Sequence, residues 1–482
     1  MTRKAATAGR KTAPATANAR VTETVDLRCE RPGRRAAGLL LAVLLGMAGA
    51  TVEEPTLRVG TSGDYAPFSL DPDGPAPLDG LDVALARAYA ADRGLRLDLI
   101  RFTWPELERR LAAGDFDVAM SGVTVRPERS VLGRFTTPVA ESGAVVLVHE
   151  GPSPPSLAEL DGPGVTLAVN AGGHLERAAR ARFPRATVRA LADNAAVLGE
   201  LASGRAGGAV TDTLEAPAWQ ARLPGLVAIG PFTRDRKAWL VSPGAEDLAA
   251  DLDAYLAAKE ADGTLASLRE RWLAPGARSE TATPLGALVA ALDERLALMP
   301  LVAEAKRKVG RPVRDTAQEA RVLEAAAADV ARAAATAGRP PPSRECVTEL
   351  FRAQIDAASA IQEAVLAGPA STAALPSDLE GALRPALARI GARVAAALIA
   401  LQEAPPASPP QAPATGAQQA PSAQSSLASA SREQRGGKAL AGSAENEIRR
   451  TVRDGLRAPG LSDTARDALA GALEHCAQRA GP

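Results

Sequence analysis

The chain has 482 residues, and its 56 basic residues balance its 56 acidic residues. This balance gives no overall field that would attract nucleic acid or an anionic membrane surface. The length suggests two to four domains. Hydrophobic residues make up 46% of the chain, enough for packed cores, although aromatic residues contribute only 3%.

The N-terminal segment is predicted to be a targeting sequence. An apolar run from Ala36 to Ala50 follows Arg34 and Arg35 and ends in Ala-Gly-Ala. The run is short for a membrane span, and its end is typical of a signal-peptidase site. We therefore expect residues 1–50 to be a signal peptide cleaved after about Ala50, leaving a periplasmic chain without a membrane contact. An uncleaved membrane anchor is the alternative.

Two cysteines remain after this cleavage, Cys346 and Cys476, because Cys29 would leave with the signal peptide. An exported chain meets an oxidising compartment, where cysteines commonly pair. A Cys346–Cys476 disulfide would fasten the C-terminal tail to the preceding part of the chain. Two unpaired thiols are an equally open outcome.

Strand and helix patterns alternate over residues 51–278. The patterns predict strands at 57–60, 95–100, 117–121, 165–169 and 208–211, and helices at 81–89 and 104–113. This rhythm is typical of a largely parallel sheet with helices on its faces. Because the rhythm restarts near Val165, we predict two α/β lobes with a ligand cleft between them.

Long helical patterns replace the strands beyond about residue 280. Stretches rich in Ala, Leu, Glu and Arg predict helices at 284–309, 315–336, 344–367 and 378–402, an all-α domain over 279–402. Residues 403–440 are rich in Pro, Ala, Gln and Ser, which is typical of a flexible linker. A last helical segment, 441–482, is broken at Pro459-Gly460 and is expected to complete the helical domain.

Motifs of the α/β part resemble a known family. Residues 59–68, 80–83 and 114–122 are similar to the amino-acid-binding periplasmic solute-binding proteins, and the resemblance covers about 55–275. Residues 103–107 and 120–129 resemble the branch that has cyclohexadienyl dehydratase activity. The resemblance implies a two-lobed, type II periplasmic-binding-protein fold. It also implies dehydration and decarboxylation of prephenate or arogenate without a cofactor or metal.

The resemblance assigns roles to individual residues. Ser121, Thr124 and Arg129 would hold a ligand carboxylate, which suits a planar guanidinium and neighbouring hydroxyls. Glu176, which follows a Gly-Gly turn, would be the general acid. Three further residues would line the cleft or meet the ligand's amino group: Asp64, Trp104 and Asp212.

Each of these roles has an ordinary structural alternative. Glu176 in a first helical turn would cap the helix, and its pKa would then fall rather than rise. Arg129 would be a surface residue, Trp104 part of the core, and Asp212 a turn residue at a strand end.

Four positions depart from the family pattern. The resemblance implies a lysine at Ala144, a tyrosine at Val139, a threonine at His174 and a polar residue at Leu175. These differences question the ligand and the dehydratase activity. An amino-acid-type solute-binding module for transport or sensing is therefore the alternative.

The helical domain carries cations on apolar helix faces. Arg295 and Lys306, eleven residues apart, share one face among Leu292, Leu296 and Met299. Cations on a semi-buried stripe are costly unless an anion pairs with them. Residues 295–306 and 351–362 resemble the exported, helical AroQ class of chorismate mutase, over about 282–402.

This second resemblance implies rearrangement of chorismate to prephenate, again without a cofactor. Arg295 would grip a carboxylate, and Lys306 and Gln362 would address the ether oxygen. Glu319 would bind the substrate hydroxyl, and the site would also include Asp315, Gln318 and Arg393. An arginine is expected at Gln318, and Arg314 and Arg321 are candidate substitutes.

The two resemblances together predict an exported, bifunctional enzyme of phenylalanine synthesis. Its fold would be a two-lobed α/β periplasmic-binding-protein fold followed by an all-α chorismate mutase domain. Its partners would be the small molecules chorismate, prephenate and arogenate, and a homo-oligomer is left open. The alternative for the second part is a helical docking bundle whose charges form ordinary solvated faces.

Overall fold

The computed structural model describes residues 54–71, 77–273, 279–371, 378–402 and 445–478. The predicted signal peptide, its cleavage site after Ala50 and the predicted linker at 403–440 lie outside the described residues. The described residues from Pro55 onward form one compact unit. Among the described residues, none of the helices is both long and apolar enough to span a bilayer.

The first lobe is built on a five-stranded sheet in the spatial order β4-β1-β5-β14-β6. Its strands are β1 (Thr56–Thr61), β4 (Arg96–Arg101), β5 (Val118–Ala119), β6 (Arg134–Phe135) and β14 (Leu240–Val241). A short hairpin, β2 (Asp64–Tyr65) and β3 (Ser69–Leu70), follows β1. The helices of this lobe are α1 (Leu81–Arg93), α2 (Leu107–Ala112), α3 (Pro127–Leu132), α7 (Glu246–Ala261) and α8 (Thr264–Trp272).

The second lobe repeats this plan with the strand order β10-β9-β11-β8-β12. Its strands are β8 (Ala144–His149), β9 (Thr166–Asn170), β10 (Thr187–Leu191), β11 (Gly208–Asp212) and β12 (Leu226–Ile229). Its helices are α4 (His174–Arg182), α5 (Asn194–Ala202) and α6 (Ala216–Arg222). The predicted pair of α/β lobes is confirmed.

Two short strands link the lobes. They are β7 (Ala140–Ser142) and β13 (Asp235–Lys237), and they pair antiparallel. The chain leaves the first lobe through β7 and returns through β13, so β8 and β14 run against their neighbours β11 and β5. Both sheets are therefore mixed rather than largely parallel, because a strand that crosses between lobes enters its sheet from the opposite direction.

The helical domain contains α9 (Pro284–Ala297), α10 (Met299–Val309), α11 (Thr316–Thr336), α12 (Arg344–Ala367), α13 (Arg384–Leu401), α14 (445–455) and α15 (Asp463–Gln478). A π-helical turn, Leu379–Leu383, leads into α13. Hydroxyl or carboxylate caps begin three of the helices: Thr283, Asp315 and Ser343 each accept an amide N–H of the first turn. One buried cluster of aliphatic residues joins these helices into a single core.

The first helical stretch differs from its prediction. Residues 284–309 were expected to form one helix, but the helix is interrupted at Leu298. Pro300 has no N–H group with which to continue the helical ladder, and it takes a place in the first turn of α10, where none is needed. The other predicted helices follow the pattern of the sequence closely.

A disulfide joins the last helix to the rest of its domain. Cys346 on α12 and Cys476 on α15 are bonded, with their Cα atoms 5.0 Å apart, and both are buried. A bond that spans 130 residues restricts the unfolded chain strongly.

Polar contacts fasten the helical domain to the two linking strands. Arg236 of β13 donates to Asp293 of α9 at 2.6 Å and to the carbonyl of Gly455 at 2.5 Å. Arg457 pairs with Glu141 of β7 at 3.2 Å. The helical domain therefore holds both strands through which the lobes are connected.

Candidate active sites

The first candidate site is a cavity between the two α/β lobes. Its lining comes from the loops at the carboxyl ends of the strands and from β13, and comprises Tyr65, Trp104, Gly122, Thr124, Arg129, Asn170, Gly173, His174, Leu175, Asn194, Glu215 and Lys237. Ligands of open α/β sheets usually bind at this end of the strands. Direct contacts close the lobes over the cavity, among them Asn194 Nδ2 to the carbonyl of Asp64 at 3.0 Å and Arg177 to Glu128 at 3.2 Å.

Arg129 supplies a buried positive charge to this cavity. Its side chain is 1% exposed, lies 3.3 Å from Glu108 Oε1 and donates to the carbonyl of Thr124 at 3.3 Å. Burial and the nearby charge of Arg126 lower the pKa of Arg129 to about 9, because Glu108 compensates them only partly. Nη2 has no hydrogen-bond partner among the described residues. A buried guanidinium with a free N–H group is suited to bind a carboxylate ligand.

Of the two hydroxyl residues predicted to contact the ligand carboxylate, Thr124 lines the cavity and Ser121 does not. Thr124 Oγ1 accepts a hydrogen bond from Lys237 Nζ at 3.0 Å. Ser121 is fully buried behind the cavity, where its Oγ is 2.8 Å from Ser62 Oγ. Gly122 stands at the wall instead, with φ of +61° and no room for a side chain against Phe68.

Trp104 lines the cavity, as predicted, and donates from its indole nitrogen to Asp64 Oδ1 at 3.2 Å. Asp64 does not belong to the cavity lining itself. Asp212 is fully buried next to the cavity and accepts hydrogen bonds from Tyr65 and from Lys237 Nζ, the latter at 2.9 Å. The structure therefore brings Trp104 to the ligand space and keeps both aspartates one layer behind it.

Glu176 lies away from the cavity lining. One of its carboxylate oxygens accepts the backbone N–H of Gly172 at 2.7 Å, and the other accepts Arg180 Nε at 2.9 Å. Burial acts to raise the pKa of Glu176, but these two partners outweigh it and the pKa is lowered. This is the geometry of the capping alternative.

Glu215, which the sequence did not single out, is the carboxyl group that lines the cavity. It is 1% exposed, and its oxygens accept hydrogen bonds from Thr211 Oγ1 at 2.6 Å and Asn194 Nδ2 at 3.0 Å. Burial and the negative charges of Asp212 and Asp64 raise its pKa well above the usual value. No local signal marked it, because Thr211 to Glu215 is an ordinary strand end followed by a helix start.

Lys237 of β13 is a second residue that sequence reasoning missed. Its side chain is 4% exposed, and its ammonium lies 4.9 Å from the centre of the Tyr65 ring. The family resemblance implied a lysine at Ala144, and Ala144 is paired in register with Asp212. The ammonium next to Asp212 is therefore supplied by Lys237 of β13 rather than by a lysine at position 144. His174 also lines the cavity, 3.0 Å from Asp235 Oδ1.

The second candidate site is a cavity inside the helical domain. It is lined by Arg295, Met299, Val302, Lys306, Val313, Asp315, Gln318, Glu319, Val322, Ile355, Ala358, Ser359, Leu379, Arg384 and Leu387. Five residues that the sequence predicted for this site are therefore brought together: Arg295, Lys306, Asp315, Gln318 and Glu319.

Two cations of this cavity, Arg295 and Lys306, are poorly compensated. Arg295 is 7% exposed, and its guanidinium donates to Gln354 Oε1 at 3.2 Å. Burial lowers its pKa to about 10. Lys306 Nζ donates to the carbonyl of Val313 at 2.7 Å, and burial lowers its pKa as well, although the charge of Asp315 acts in the opposite direction. An anionic ligand would relieve both groups.

The remaining predicted residues have mixed positions. Asp315 caps α11 by accepting the N–H of Gln318 at 3.0 Å. Gln362 is buried against two lining residues, donating to the carbonyl of Ala358 at 3.1 Å, with Met299 Sδ at 3.5 Å. Arg393 does not line this cavity and pairs with Glu294 at 2.6 Å.

Arg384 is the arginine that the structure adds to this cavity. It stands at the start of α13, and its charge contributes to the lowered pKa of Lys306. Arg314 and Arg321, the candidate substitutes for an arginine at Gln318, do not line the cavity: Arg314 pairs with Asp356 at 2.8 Å, and Arg321 donates to Gln318 Oε1 at 2.8 Å. Arg384 follows the π-helical turn Leu379–Leu383, and the sequence pattern did not indicate that this turn brings it to the cavity.

Comparison with known proteins supports the family resemblances of both the α/β part and the helical part. Residues 57–275 match the model of the bacterial extracellular solute-binding proteins, family 3, and residues 286–363 match that of chorismate mutase type II. A cyclohexadienyl dehydratase of Pseudomonas aeruginosa is 34% identical over 227 residues, which are 46% of this chain and 84% of that protein. The chain belongs to the family 3 solute-binding proteins. It also carries a type II chorismate mutase domain, which is C-terminal to the solute-binding part.

Several other relatives of the α/β part are binding proteins. The L-cystine-binding protein TcyJ of Escherichia coli is 28% identical over 47% of this chain and 86% of that protein. The crystal structure of the ancestral amino acid-binding protein AncCDT-1, described as a precursor of cyclohexadienyl dehydratase, is 35% identical and covers 45% of this chain and 95% of its own, with a TM-score of 0.43. The fusion thus joins a mutase domain to a fold that serves both binding proteins and an enzyme.

Proposed function

We propose that the chain is a bifunctional, exported enzyme. Its helical domain converts chorismate to prephenate, and its two-lobed domain converts prephenate or arogenate to phenylpyruvate or phenylalanine. The observation that carries the second activity is Glu215, a buried carboxyl group that lines a cavity together with Arg129 and has a raised pKa. Export is supported by the apolar run that ends at Ala50.

The mutase reaction needs a rigid arrangement of charges more than it needs reactive groups. Chorismate is a dianion, and its rearrangement breaks one C–O bond and forms one C–C bond within the same molecule. Arg295 and Arg384 supply the positive charge for its carboxylates, and Lys306 supplies a donor for the ether oxygen, where negative charge develops. Holding the substrate in its reactive conformer gives the rest of the acceleration.

The dehydratase reaction needs a proton donor at a hydroxyl group. A carboxylic acid protonates the leaving hydroxyl, the C–O bond breaks, and the electron pair of the bond to the ring carboxylate moves into the ring as carbon dioxide leaves. The products are water, carbon dioxide and an aromatic keto acid or amino acid. Glu215 suits this role because burial raises its pKa, which favours the protonated form that a general acid needs.

Glu215 suits the acid role better than Glu176. The oxygens of Glu176 are engaged by Gly172 and Arg180, its pKa is lowered, and it does not line the cavity. Arg129 would hold the carboxylate that is not lost, a role supported by Nη2 of its buried guanidinium, which is free of partners among the described residues. Thr124 and His174 complete the polar wall of the cavity.

Paired variants test both activities. Glu215→Gln should slow release of phenylpyruvate from prephenate by about 10²–10⁴-fold, whereas Glu176→Gln should leave the rate nearly unchanged. For the mutase, Lys306→Met should remove activity on chorismate, and Lys308→Met, at an exposed position two residues further on the same helix, is the matched control. Full dehydratase activity in Glu215→Gln would refute the role of this residue.

A second candidate for the two-lobed domain is solute binding without turnover. The relatedness to an L-cystine-binding protein favours it. A pure binding protein would retain an amino acid unchanged, so turnover of prephenate by the wild-type chain decides between the two functions.

A further inference from the structure

The carboxylate of Asp212 is saturated by donors from the protein itself. Oδ1 accepts the backbone N–H groups of Leu214 and Glu215, each at 3.0 Å. Oδ2 accepts the hydroxyl of Tyr65 and the ammonium of Lys237, the latter at 2.9 Å. A carboxylate has about four lone-pair sites, and these four donors occupy them. Asp212 is also fully buried, so a ligand cannot reach it without displacing Lys237.

Lys237 also sets the polarity of a neighbouring hydroxyl. Its ammonium donates to Thr124 Oγ1 at 3.0 Å, so this oxygen acts as an acceptor toward the lysine. The hydroxyl proton of Thr124 is then free to be donated into the cavity, which Thr124 lines. Both effects of Lys237 favour an acceptor-rich, negatively charged ligand.

The other acidic groups near the cavity do not restore an acceptor for a cation. Glu215 lines the cavity, but its two oxygens already accept hydrogen bonds from Asn194 Nδ2 and Thr211 Oγ1, and burial raises its pKa. Asp64 accepts the indole N–H of Trp104 and lies outside the lining. Asp235 is 3.0 Å from His174 Nε2 and also accepts Thr233 Oγ1 at 2.7 Å. The carboxylates near the cavity are therefore all engaged, and the side chains that line it include the cations Arg129 and Lys237, the latter paired with Asp212.

We propose that this cavity selects a dicarboxylate that lacks an α-ammonium group, so that prephenate rather than arogenate is its substrate, and that Lys237 sets this preference. The inference rests on the proposed dehydratase function and names its substrate. An α-ammonium group would meet the ammonium of Lys237 instead of an open carboxylate, whereas a keto acid presents only acceptors.

The test compares keto-acid and amino-acid ligands of the same shape. Values of kcat/KM are measured for prephenate and arogenate, and Kd values are measured by calorimetry for phenylpyruvate and L-phenylalanine. Because the second pair needs no turnover, it reports on selectivity even if the domain is not an enzyme. The wild-type chain should favour the keto acid by at least about tenfold in both comparisons, and a tenfold ratio corresponds to about 1.4 kcal/mol.

Two variants and a matched control isolate Lys237. Lys237→Met removes the ammonium and exposes Asp212, so the keto-acid preference should fall by at least about tenfold or reverse. Lys237→Arg keeps the charge and should keep the preference. Lys259→Met, on α7 with Asp262 as its partner, removes a lysine from outside the cavity and should leave the ratio unchanged.

The outcomes separate this inference from the function on which it rests. If no substrate is turned over but phenylpyruvate binds selectively, the dehydratase proposal fails and the selectivity stands. If prephenate and arogenate react equally well, or if arogenate is preferred, the selectivity is overturned while the dehydratase stands. An unchanged ratio in folded Lys237→Met overturns the role of Lys237, as does failure of both stable ligands to bind the wild-type chain.

Discussion

The buried ion pair between Arg236 and Asp293 is predicted to make the two domains unfold together. The pair joins β13 of the α/β part to α9 of the helical domain at 2.6 Å, and the two side chains are 7% and 10% exposed. Asp293 also accepts the backbone N–H groups of Arg457 at 2.5 Å and Ala458 at 2.7 Å. Replacing Arg236 by Met therefore leaves a buried carboxylate with amide donors but without its cation.

The size of the effect follows from this burial. Breaking a buried pair by removing one partner costs about 3–5 kcal/mol, because the other charge stays buried and uncompensated. The exposed pair of Arg453 and Asp467, with side chains 60% and 43% exposed, is the matched control. Removal of Arg453 should cost about 0–1 kcal/mol, since water replaces the lost partner.

The composition of the chain provides separate probes for the two domains. All four tryptophans, Trp104, Trp219, Trp239 and Trp272, lie in the α/β part, whereas the helical domain has none. Tryptophan fluorescence in urea therefore follows the α/β part, and circular dichroism at the helix band includes the helical domain. The two transitions should coincide in the wild-type chain and in Arg453→Met. They should separate in Arg236→Met, with the free energy of unfolding of the less stable part reduced.

The reasoning is refuted if Arg236→Met unfolds in one transition within about 1 kcal/mol of the wild type. This result would mean that the ion pair only compensates its own desolvation. Coincident but shifted transitions would also contradict the predicted role in joining the domains, because they would show that other contacts keep the two parts cooperative.

Three further predictions concern the two sites and the disulfide. Glu215→Gln should lower kcat for prephenate by about 10²–10⁴-fold; because the pKa of Glu215 is raised, the wild-type rate should fall as the acid loses its proton, at a higher pH than for an ordinary glutamic acid. Gln318→Arg should raise kcat/KM for chorismate by about tenfold, because it adds a cation to the cavity proposed to bind this dianion. Replacing Cys346 and Cys476 together by Ser should lower the free energy of unfolding by about 2–5 kcal/mol in chemical denaturation.

Each of these predictions has a result that contradicts it. A rate that rises with pH would show that Glu215 acts as a base or not at all. An unchanged or lower kcat/KM in Gln318→Arg would mean that Arg384 already completes the binding of the carboxylates. If the double serine variant is as stable as the oxidised wild type, α15 is held by its apolar packing rather than by the disulfide.

The sequence predicted the elements better than the details of the sites. Lobes and helices follow from periodic patterns, and the cations Arg295 and Lys306 stood out because they interrupt an apolar face. Glu215, which immediately precedes α6, and Lys237, the last residue of β13, have no such signal, since each is a single polar residue without a periodic pattern. Their proximity depends on the chain crossing between the lobes, and local sequence carries little information about this arrangement.

The position of Glu176 shows the limit of carrying a role over by resemblance. Its place after a Gly-Gly turn agreed with two different roles, and the sequence did not include the hydrogen bonds from Gly172 and Arg180 that favour the cap. The same limit applies to Arg393, which is buried opposite Glu294 while Arg384 reaches the cavity. Glu215 and Arg384 line the cavities in place of Glu176 and Arg393. Only the tertiary structure shows which residue of each pair reaches its cavity.

The most direct test of the bifunctional proposal is a time course of chorismate conversion by the mature chain, residues 51–482, with prephenate and phenylpyruvate quantified separately. The proposal predicts that prephenate appears first and phenylpyruvate then accumulates, because both cavities carry the groups that their reactions need. Accumulation of prephenate without phenylpyruvate would leave the mutase and contradict the dehydratase. Unchanged chorismate would contradict the mutase assignment and, with it, the central claim.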